Sequence, residues 1–142
     1  MTTTFGSVKW QGGIKDGKGV ISTKSGALKD YPYGFASRFE GKPGSNPEEL
    51  IGAAHAACFA MTLSLIFGEA KLTAEQLETK ADVTIEKQGE GFSITSVHLR
   101  LVAKIPGADK TKFAELVGMA KAGCPVSKLL NTKISLDAVL EG

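Results

Sequence analysis

The chain has 142 residues, a formal net charge of +2, 42% apolar residues, 23% charged residues and two cysteines. The length predicts one domain over residues 1–142, the apolar share excludes a disordered chain, and the small net charge excludes electrostatic binding of nucleic acid. The first ten residues lack the basic and apolar regions of a signal peptide, so we expect a cytoplasmic protein. In a reducing compartment, two cysteines indicate a reactive pair, a metal site or core residues rather than a structural disulfide.

Three short strands are predicted before residue 41. Alternating polar and apolar residues indicate strands at 4–10 and 18–25, joined by a glycine-rich hairpin loop. The alternation resumes from Tyr33 to Glu40, which we interpret as a third strand.

A long apolar helix is predicted next. Asn46 is its predicted N-cap, Pro47 its first residue, and Glu49 completes the spacing of a capping box. From Leu50 to Phe67 only three residues are polar, so the helix must be buried on most sides, and its short length and internal histidine argue against a membrane span. Small residues allow another helix to approach closely, and a twofold-related copy of the chain could supply the missing cover. These small residues are Gly52, Ala53, Ala56, Ala57 and Ala60.

The C-terminal half is predicted to contain a second hairpin, two helices and a final strand. The hairpin strands lie at 80–87 and 92–105, with a bulge near Thr95 and Ser96. Asp109 is the predicted cap of an amphipathic helix that ends at Gly123, Pro125 begins a short helix, and residues 134–140 alternate as a strand. This order predicts an α+β fold with antiparallel sheets packed on a long buried central helix.

The two cysteines occupy different local settings. Cys58 lies too far along the long helix for the helix dipole to lower its pKa, so a side chain such as Arg38 must activate it. The alternatives are an inert core cysteine and a solvated arginine on an edge strand. Cys124 lies in Gly-Cys-Pro at the start of the short helix, where backbone N–H groups make it the more easily ionised thiol. A capping residue without chemistry is the alternative there.

The two histidines permit further combinations. His55 precedes Cys58 by three residues on one helix face, and this spacing permits a Cys/His nucleophile pair or a zinc site with Cys124 and His98. Structural zinc sites have closely spaced ligand pairs, whereas the cysteines are 66 positions apart, so we expect no metal. A hydrogen-bonded core or interface histidine is the simpler interpretation of His55.

Three segments resemble the OsmC branch of the OsmC/Ohr family of thiol peroxidases. They are PYGFASRFEG, NPEELIGAAHAACFAMTLSL and AKAGCPVSKLL, and the resemblance runs from about Trp10 to the last strand. It implies an intertwined homodimer that reduces organic hydroperoxides, and hydrogen peroxide more weakly. It implies an external dithiol reductant that is typically of lipoyl type. We expect no bound cofactor and no nucleic-acid or membrane partner. Phe39, Phe59 and Met61 suit an alkyl or acyl hydroperoxide, although each is also explained as a core residue.

The resemblance also implies roles for four residues. Cys58 would be the peroxidatic thiolate that becomes a sulfenic acid, Cys124 the resolving thiol, Arg38 the residue that stabilises the thiolate, and Glu49 the residue that orients Arg38. Glu49 and Cys58 are separated by ~13 Å along a straight helix, so we expect Arg38 and Glu49 of one chain to meet Cys58 of the other. A redox-sensing or binding module without turnover, and a Cys/His hydrolase that uses His55, are the alternative functions.

Overall fold

The computed structural model describes residues 1–141; residue 142, the last residue of the predicted domain, lies outside the described residues. The chain divides into two compact units, Met1–Leu50 and Ile51–Gly142, and the single domain stays a prediction. The elements in chain order are β1 (Gly6–Gln11), β2 (Lys18–Thr23), β3 (Tyr31–Tyr33), α1 (Phe35–Phe39), α2 (Pro47–Glu69), β4 (Gln76–Gln88), β5 (Gly91–Lys104), α3 (Lys110–Gly123), α4 (Pro125–Leu129) and β6 (Lys133–Glu141).

The N-terminal unit contains an antiparallel sheet in the order β1-β2-β3. The predicted first hairpin is confirmed, but the third strand stops at Tyr33 and the chain turns into α1, so the predicted strand beyond that residue is wrong. The buried Ser37 hydroxyl explains the difference, because it accepts a hydrogen bond from the Gly34 N–H at 2.9 Å and donates to the Ser45 carbonyl at 2.7 Å. Such local side-chain hydrogen bonds compete with strand pairing.

The C-terminal unit contains a mixed sheet in the order β4-β5-β6. β4 and β5 form the predicted hairpin, and its register shifts where Thr84 pairs with Ser96 and Ile85 pairs with Ile94. Thr95 is therefore the extra residue of the predicted bulge. β6 runs parallel to β5, which requires the crossover that α3 and α4 provide. The α+β prediction is confirmed, with one parallel strand pair in the sheet.

The core of the C-terminal unit lies between β5, α2 and α3. α3 begins at its predicted cap, where the Asp109 carboxylate accepts a hydrogen bond from the Lys112 N–H at 2.9 Å. The buried apolar side chains share one face of each element. They include Phe59, Leu63, Phe67, Val97, Leu99, Leu101, Phe113, Leu116, Val117 and Ala120.

Only one face of α2 is covered within this chain. Its mean hydropathy of 1.9 and its length match those of a membrane-spanning helix, values that the core helix of a soluble protein also reaches. Phe59, Leu63 and Phe67 are buried, whereas Met61 is 77% and Leu65 is 64% exposed. The predicted burial on most sides is therefore not achieved by the chain alone.

Gly52 of α2 packs against a strand and not against the second helix that its small size predicted. A Cβ atom on Gly52 would lie 3.1 Å from the Ala81 carbonyl oxygen and 3.4 Å from the Val83 side chain, both in β4. The absence of a side chain at residue 52 therefore allows β4 to pack closely against α2. The predicted helix contact is wrong at this position.

Candidate active site

Cys58 and Cys124 come together although 66 residues separate them. Their Sγ atoms lie 3.0 Å apart, and both thiols are free. Cys58 is contributed by α2, and Cys124 is both the C-cap of α3 and the N-cap of α4. Cys124 is fully buried, whereas Cys58 is partly exposed. Two sulfur atoms at this separation can form a disulfide through a small side-chain movement.

The two thiols have pKa values shifted in opposite directions. Burial raises the pKa of Cys58, and its hydrogen bond to Cys124 raises that pKa further, against the opposing effects of the Val126 backbone and the Thr62 hydroxyl. Burial also disfavours the Cys124 thiolate, but hydrogen bonds from Cys58, Ser127 and Val126 lower the pKa of Cys124 below its usual value. The directions of the two shifts agree with the prediction that Cys124 is the more easily ionised thiol.

Arg38 is bound by Glu48. Its Nε and Nη2 atoms donate to the two carboxylate oxygens of Glu48, each at 2.9 Å. Glu48 is only 7% exposed, and the Arg38 guanidinium also lies 5.2 Å from the Phe39 ring centroid. The Glu48 hydrogen bond raises the pKa of Arg38 above its usual value. Arg38 is therefore a permanent positive charge in a defined orientation.

Glu49 does not bind Arg38, so the prediction that it orients this arginine is wrong. Its carboxylate accepts a hydrogen bond from the Ser45 hydroxyl at 2.8 Å, and its N–H donates to the predicted cap Asn46 at 2.8 Å. Adjacent residues of a helix point about 100° apart, so only one of the two glutamates can face α1. The sequence could not distinguish them because both suit the first turn of a helix.

A cavity of about 210 Å³ lies beside Arg38 within the N-terminal unit. Its aromatic walls include Trp10 and Tyr33, whose ring centroids are 5.6 Å apart. Phe39, which was expected to suit an alkyl or acyl hydroperoxide, lines this cavity. Phe59, named for the same reason, belongs instead to the core of the C-terminal unit. The full set of lining residues is Trp10, Ile14, Tyr33, Gly34, Phe35, Arg38 and Phe39.

Comparison with known proteins identifies the family. The model of the OsmC-like protein family matches residues 39–138. The chain is 52% identical to the peroxiredoxin OsmC of Escherichia coli (strain K12) over 136 residues, which cover 96% of this chain and 95% of that protein. The chain belongs to the OsmC-like family. It is also 33% identical to the organic hydroperoxide resistance protein OhrB of Bacillus subtilis (strain 168), over 72% of each chain.

Solved structures agree with this assignment to the OsmC-like family. The crystal structure of OhrB of Bacillus subtilis matches with a TM-score of 0.67 and 28% identity, over 96% of this chain and 98% of that chain. An OsmC-like protein from Mycoplasma pneumoniae matches with a TM-score of 0.77 over 99% of both chains. Its identity is 15%, so this second similarity shows the fold alone.

His55 of this OsmC-like chain is hydrogen-bonded to Ser127. The imidazole is fully buried, its Nε2 atom lies 2.7 Å from the Ser127 hydroxyl, and its Nδ1 atom has no partner among the described residues. Burial lowers the pKa of His55. Neither ring nitrogen is hydrogen-bonded to Cys58, so the hydrolase alternative lacks its nucleophile–base contact. The interpretation of His55 as a hydrogen-bonded core residue is confirmed.

Ser127 is the residue that sequence analysis missed. It follows Cys124 by three residues, the spacing at which a residue in the first turn of a helix faces the N-cap side chain. That spacing was the available signal in the sequence.

His98 lies on the sheet and not at the thiols, 2.6 Å from the Ser135 hydroxyl and 3.0 Å from the Asp137 carboxylate. No group of three His, Cys, Asp or Glu side chains within residues 1–141 is placed to hold a metal ion.

Proposed function

We propose that this chain is a thiol-dependent peroxidase that reduces organic hydroperoxides and, more weakly, hydrogen peroxide. The pair of thiols with sulfur atoms 3.0 Å apart carries this proposal. Support comes from the relatives, which are named as a peroxiredoxin and as an organic hydroperoxide resistance protein. The reaction suits the cytoplasm, where free thiols are kept reduced.

Cys58 is the attacking thiol in this proposal because it is the exposed member of the pair, whereas Cys124 is fully buried. The Cys58 thiolate attacks one peroxide oxygen; an S–O bond forms, the O–O bond breaks, and the alkoxide takes up a proton and leaves as an alcohol. The Cys124 thiolate then attacks the sulfur of the Cys58 sulfenic acid; the S–S bond forms, the S–O bond breaks, and the departing hydroxide takes up the proton that Cys124 had lost and leaves as water. An external dithiol, of lipoyl type in our proposal, reduces the disulfide by exchange, so the cycle needs no bound cofactor.

Arg38 supplies the positive charge that Cys58 needs. The surroundings of Cys58 within its own unit raise its pKa, so another group must stabilise the thiolate. The guanidinium bound to Glu48 is a permanent charge with an outward-facing edge, since the Arg38 side chain is 35% exposed. It would stabilise both the thiolate and the charge that develops on the leaving oxygen.

The active site is shared between two chains in this proposal. Glu48 and Cys58 are ten residues apart in sequence, which corresponds to ~15 Å along a straight helix. Arg38 and Glu48 of one chain would therefore meet Cys58 of a second copy. The exposed apolar residues of α2, such as Met61 and Leu65, offer a surface for a homodimer.

The cavity beside Arg38 indicates the substrate class. Trp10, Ile14 and Phe35 line the same cavity as Arg38 and supply apolar surface to it. An alkyl or aryl hydroperoxide would place its carbon chain against these side chains and its peroxide group at the guanidinium. Hydrogen peroxide has no apolar part to bind there, so we expect it to be the poorer substrate.

Peroxide consumption tests the function directly. We would measure the reduction of tert-butyl hydroperoxide, cumene hydroperoxide and hydrogen peroxide with dihydrolipoamide or dithiothreitol as the reductant. We expect kcat/KM for the organic substrates to be about tenfold or more above that for hydrogen peroxide, and the Cys58→Ser variant to be inactive. Oxidation of Cys58 without turnover, despite a competent dithiol, would instead indicate a redox sensor.

Mixing two inactive variants tests the shared site. A mixed dimer of Arg38→Ala and Cys58→Ser chains contains one complete site if Arg38 acts across the interface. Random assembly, by refolding the two variants together, should then restore about a quarter of the wild-type activity. No recovery in a mixture that is shown to form mixed dimers would contradict the shared site while leaving the peroxidase activity itself untouched.

A further inference from the structure

We infer that Ser127 and His55 form a hydrogen-bonded relay that holds Cys124 as the thiolate for attack on the oxidised Cys58. In this relay Ser127 contacts the reacting sulfur, and His55 acts through Ser127 as a positioning residue. The inference rests on the proposed peroxidase cycle and concerns its second step, the closure of the disulfide.

Four side chains form one continuous chain of contacts. The Cys58 and Cys124 sulfur atoms are 3.0 Å apart, and the Ser127 hydroxyl is hydrogen-bonded to Cys124. The same hydroxyl lies 2.7 Å from Nε2 of His55, which reaches it from α2 across 72 residues of sequence. α2 thus supports both thiols, one directly and one through α4.

The protonation of His55 determines the direction of these hydrogen bonds. Burial lowers the pKa of His55, so the ring is neutral and carries one N–H. Nδ1 is buried without a partner, and an unpaired buried N–H is less acceptable than an unpaired acceptor. The proton therefore belongs on Nε2, which donates to the Ser127 oxygen. The hydroxyl hydrogen of Ser127 is then free to point at the Cys124 sulfur.

This arrangement favours the ionised form of Cys124. A thiolate accepts the Ser127 hydroxyl hydrogen, and charge-assisted hydrogen bonds are stronger than neutral ones. Among the described residues, the titratable groups that contact Cys124 and Ser127 are Cys58 and His55, both on α2, while α4 contributes Ser127 and backbone N–H groups. In the reaction, the Cys124 thiolate forms the S–S bond as the S–O bond of the Cys58 sulfenic acid breaks. The departing hydroxide takes up the proton that Cys124 had lost and leaves as water.

Titration of Cys124 tests the relay without any peroxide. In a Cys58→Ser background, Cys124 is the remaining cysteine, and its ionisation is followed by thiolate absorbance at ~240 nm, a property of ionised thiols. Adding Ser127→Ala or His55→Leu should raise the pKa of Cys124 by about one unit. Ser127→Thr and His55→Gln retain a hydroxyl and an N–H donor, so they should restore most of the shift. His98→Leu is the matched control and should leave the titration unchanged.

Several results of this titration would overturn the relay. One such result is an unchanged Cys124 pKa in Ser127→Ala. The others are a Cys124 pKa shift in Ser127→Thr, or in His98→Leu, as large as the shift in Ser127→Ala. Ser127 is partly exposed on a short helix, so Ser127→Ala should fold even if substitution of the buried His55 does not. Thermal unfolding of each variant checks this.

A single turnover links the relay to the chemistry. With Cys58 present and one equivalent of tert-butyl hydroperoxide added, Ser127→Ala should form the disulfide about tenfold more slowly at neutral pH. Its sulfenic acid formation at Cys58 should be no slower than in the wild type, because a protonated Cys124 no longer raises the pKa of Cys58 through their hydrogen bond. An equal loss in both steps would contradict a specific role in closure. If the wild-type Cys58 is not oxidised at all, the peroxidase proposal fails, and the titration still decides the relay.

Discussion

The assignment of Glu48, rather than Glu49, as the partner of Arg38 leads to a sharp prediction about two adjacent residues. Glu48→Gln removes the negative charge from a carboxylate that is 7% exposed and accepts two hydrogen bonds of 2.9 Å from Arg38. Glutamine still accepts one of these bonds, but its NH₂ group opposes the second guanidinium N–H. The positive charge then loses both its partner and its fixed orientation.

The expected cost follows from the burial of the pair. Breaking a fully buried ion pair costs roughly 3–5 kcal/mol, and a hydrogen bond to a charged group contributes roughly 1.5–3 kcal/mol. The Arg38 side chain is 35% exposed, so the smaller of these two energies, roughly 1.5–3 kcal/mol, applies to this pair. We expect Glu48→Gln to lose about 2 kcal/mol of transition-state stabilisation, or about thirtyfold in kcat/KM.

Glu49→Gln is the matched control for this measurement. The Ser45 hydroxyl can donate to the amide oxygen of the introduced glutamine as it does to the carboxylate, so kcat/KM should stay within about twofold of wild type. Both variants are assayed with cumene hydroperoxide and dihydrolipoamide, and thermal unfolding confirms that they are folded. Equal losses in the two variants, or a larger loss in Glu49→Gln, would refute the reasoning.

Three further predictions concern the thiols, the guanidinium and the packing of α2. Cys124→Ser should consume one equivalent of hydroperoxide and then accumulate a Cys58 sulfenic acid that dimedone traps; sustained turnover would show that Cys124 is not the resolving thiol. Arg38→Lys should lose about tenfold in kcat/KM, because an ammonium group cannot replace the two-pronged contact; wild-type kinetics would contradict this. Gly52→Val should destabilise the chain by about 1–3 kcal/mol in urea unfolding, since β4 lies 3.1 Å from its Cβ position. The control Gly68→Ala meets no atom within 4 Å and should be neutral or stabilising by up to ~1 kcal/mol; a stable Gly52→Val would refute the close approach.

Local signals in the sequence predicted much of the secondary structure. Asn46 and Asp109 cap the helices that they were expected to cap, because a cap depends on contacts within a few residues. The hairpin of β4 and β5 followed from its period of two. The same period of two wrongly predicted a strand where α1 forms. Ser37 makes hydrogen bonds to the backbone there, and a short alternating run does not reveal them.

The site residues likewise fall into those that sequence motifs identify and those whose contacts depend on the tertiary structure. The sequence by itself determined the family, both cysteines and the arginine, since long motifs identify residues without locating them in space. Only the tertiary structure decided that Cys58 and Cys124 lie 3.0 Å apart, that Glu48 binds Arg38, and that His55 reaches Ser127. These contacts depend on which face of α2 is turned toward each neighbour, and a difference of one residue rotates a side chain by about 100°. Packing alone determines that rotation.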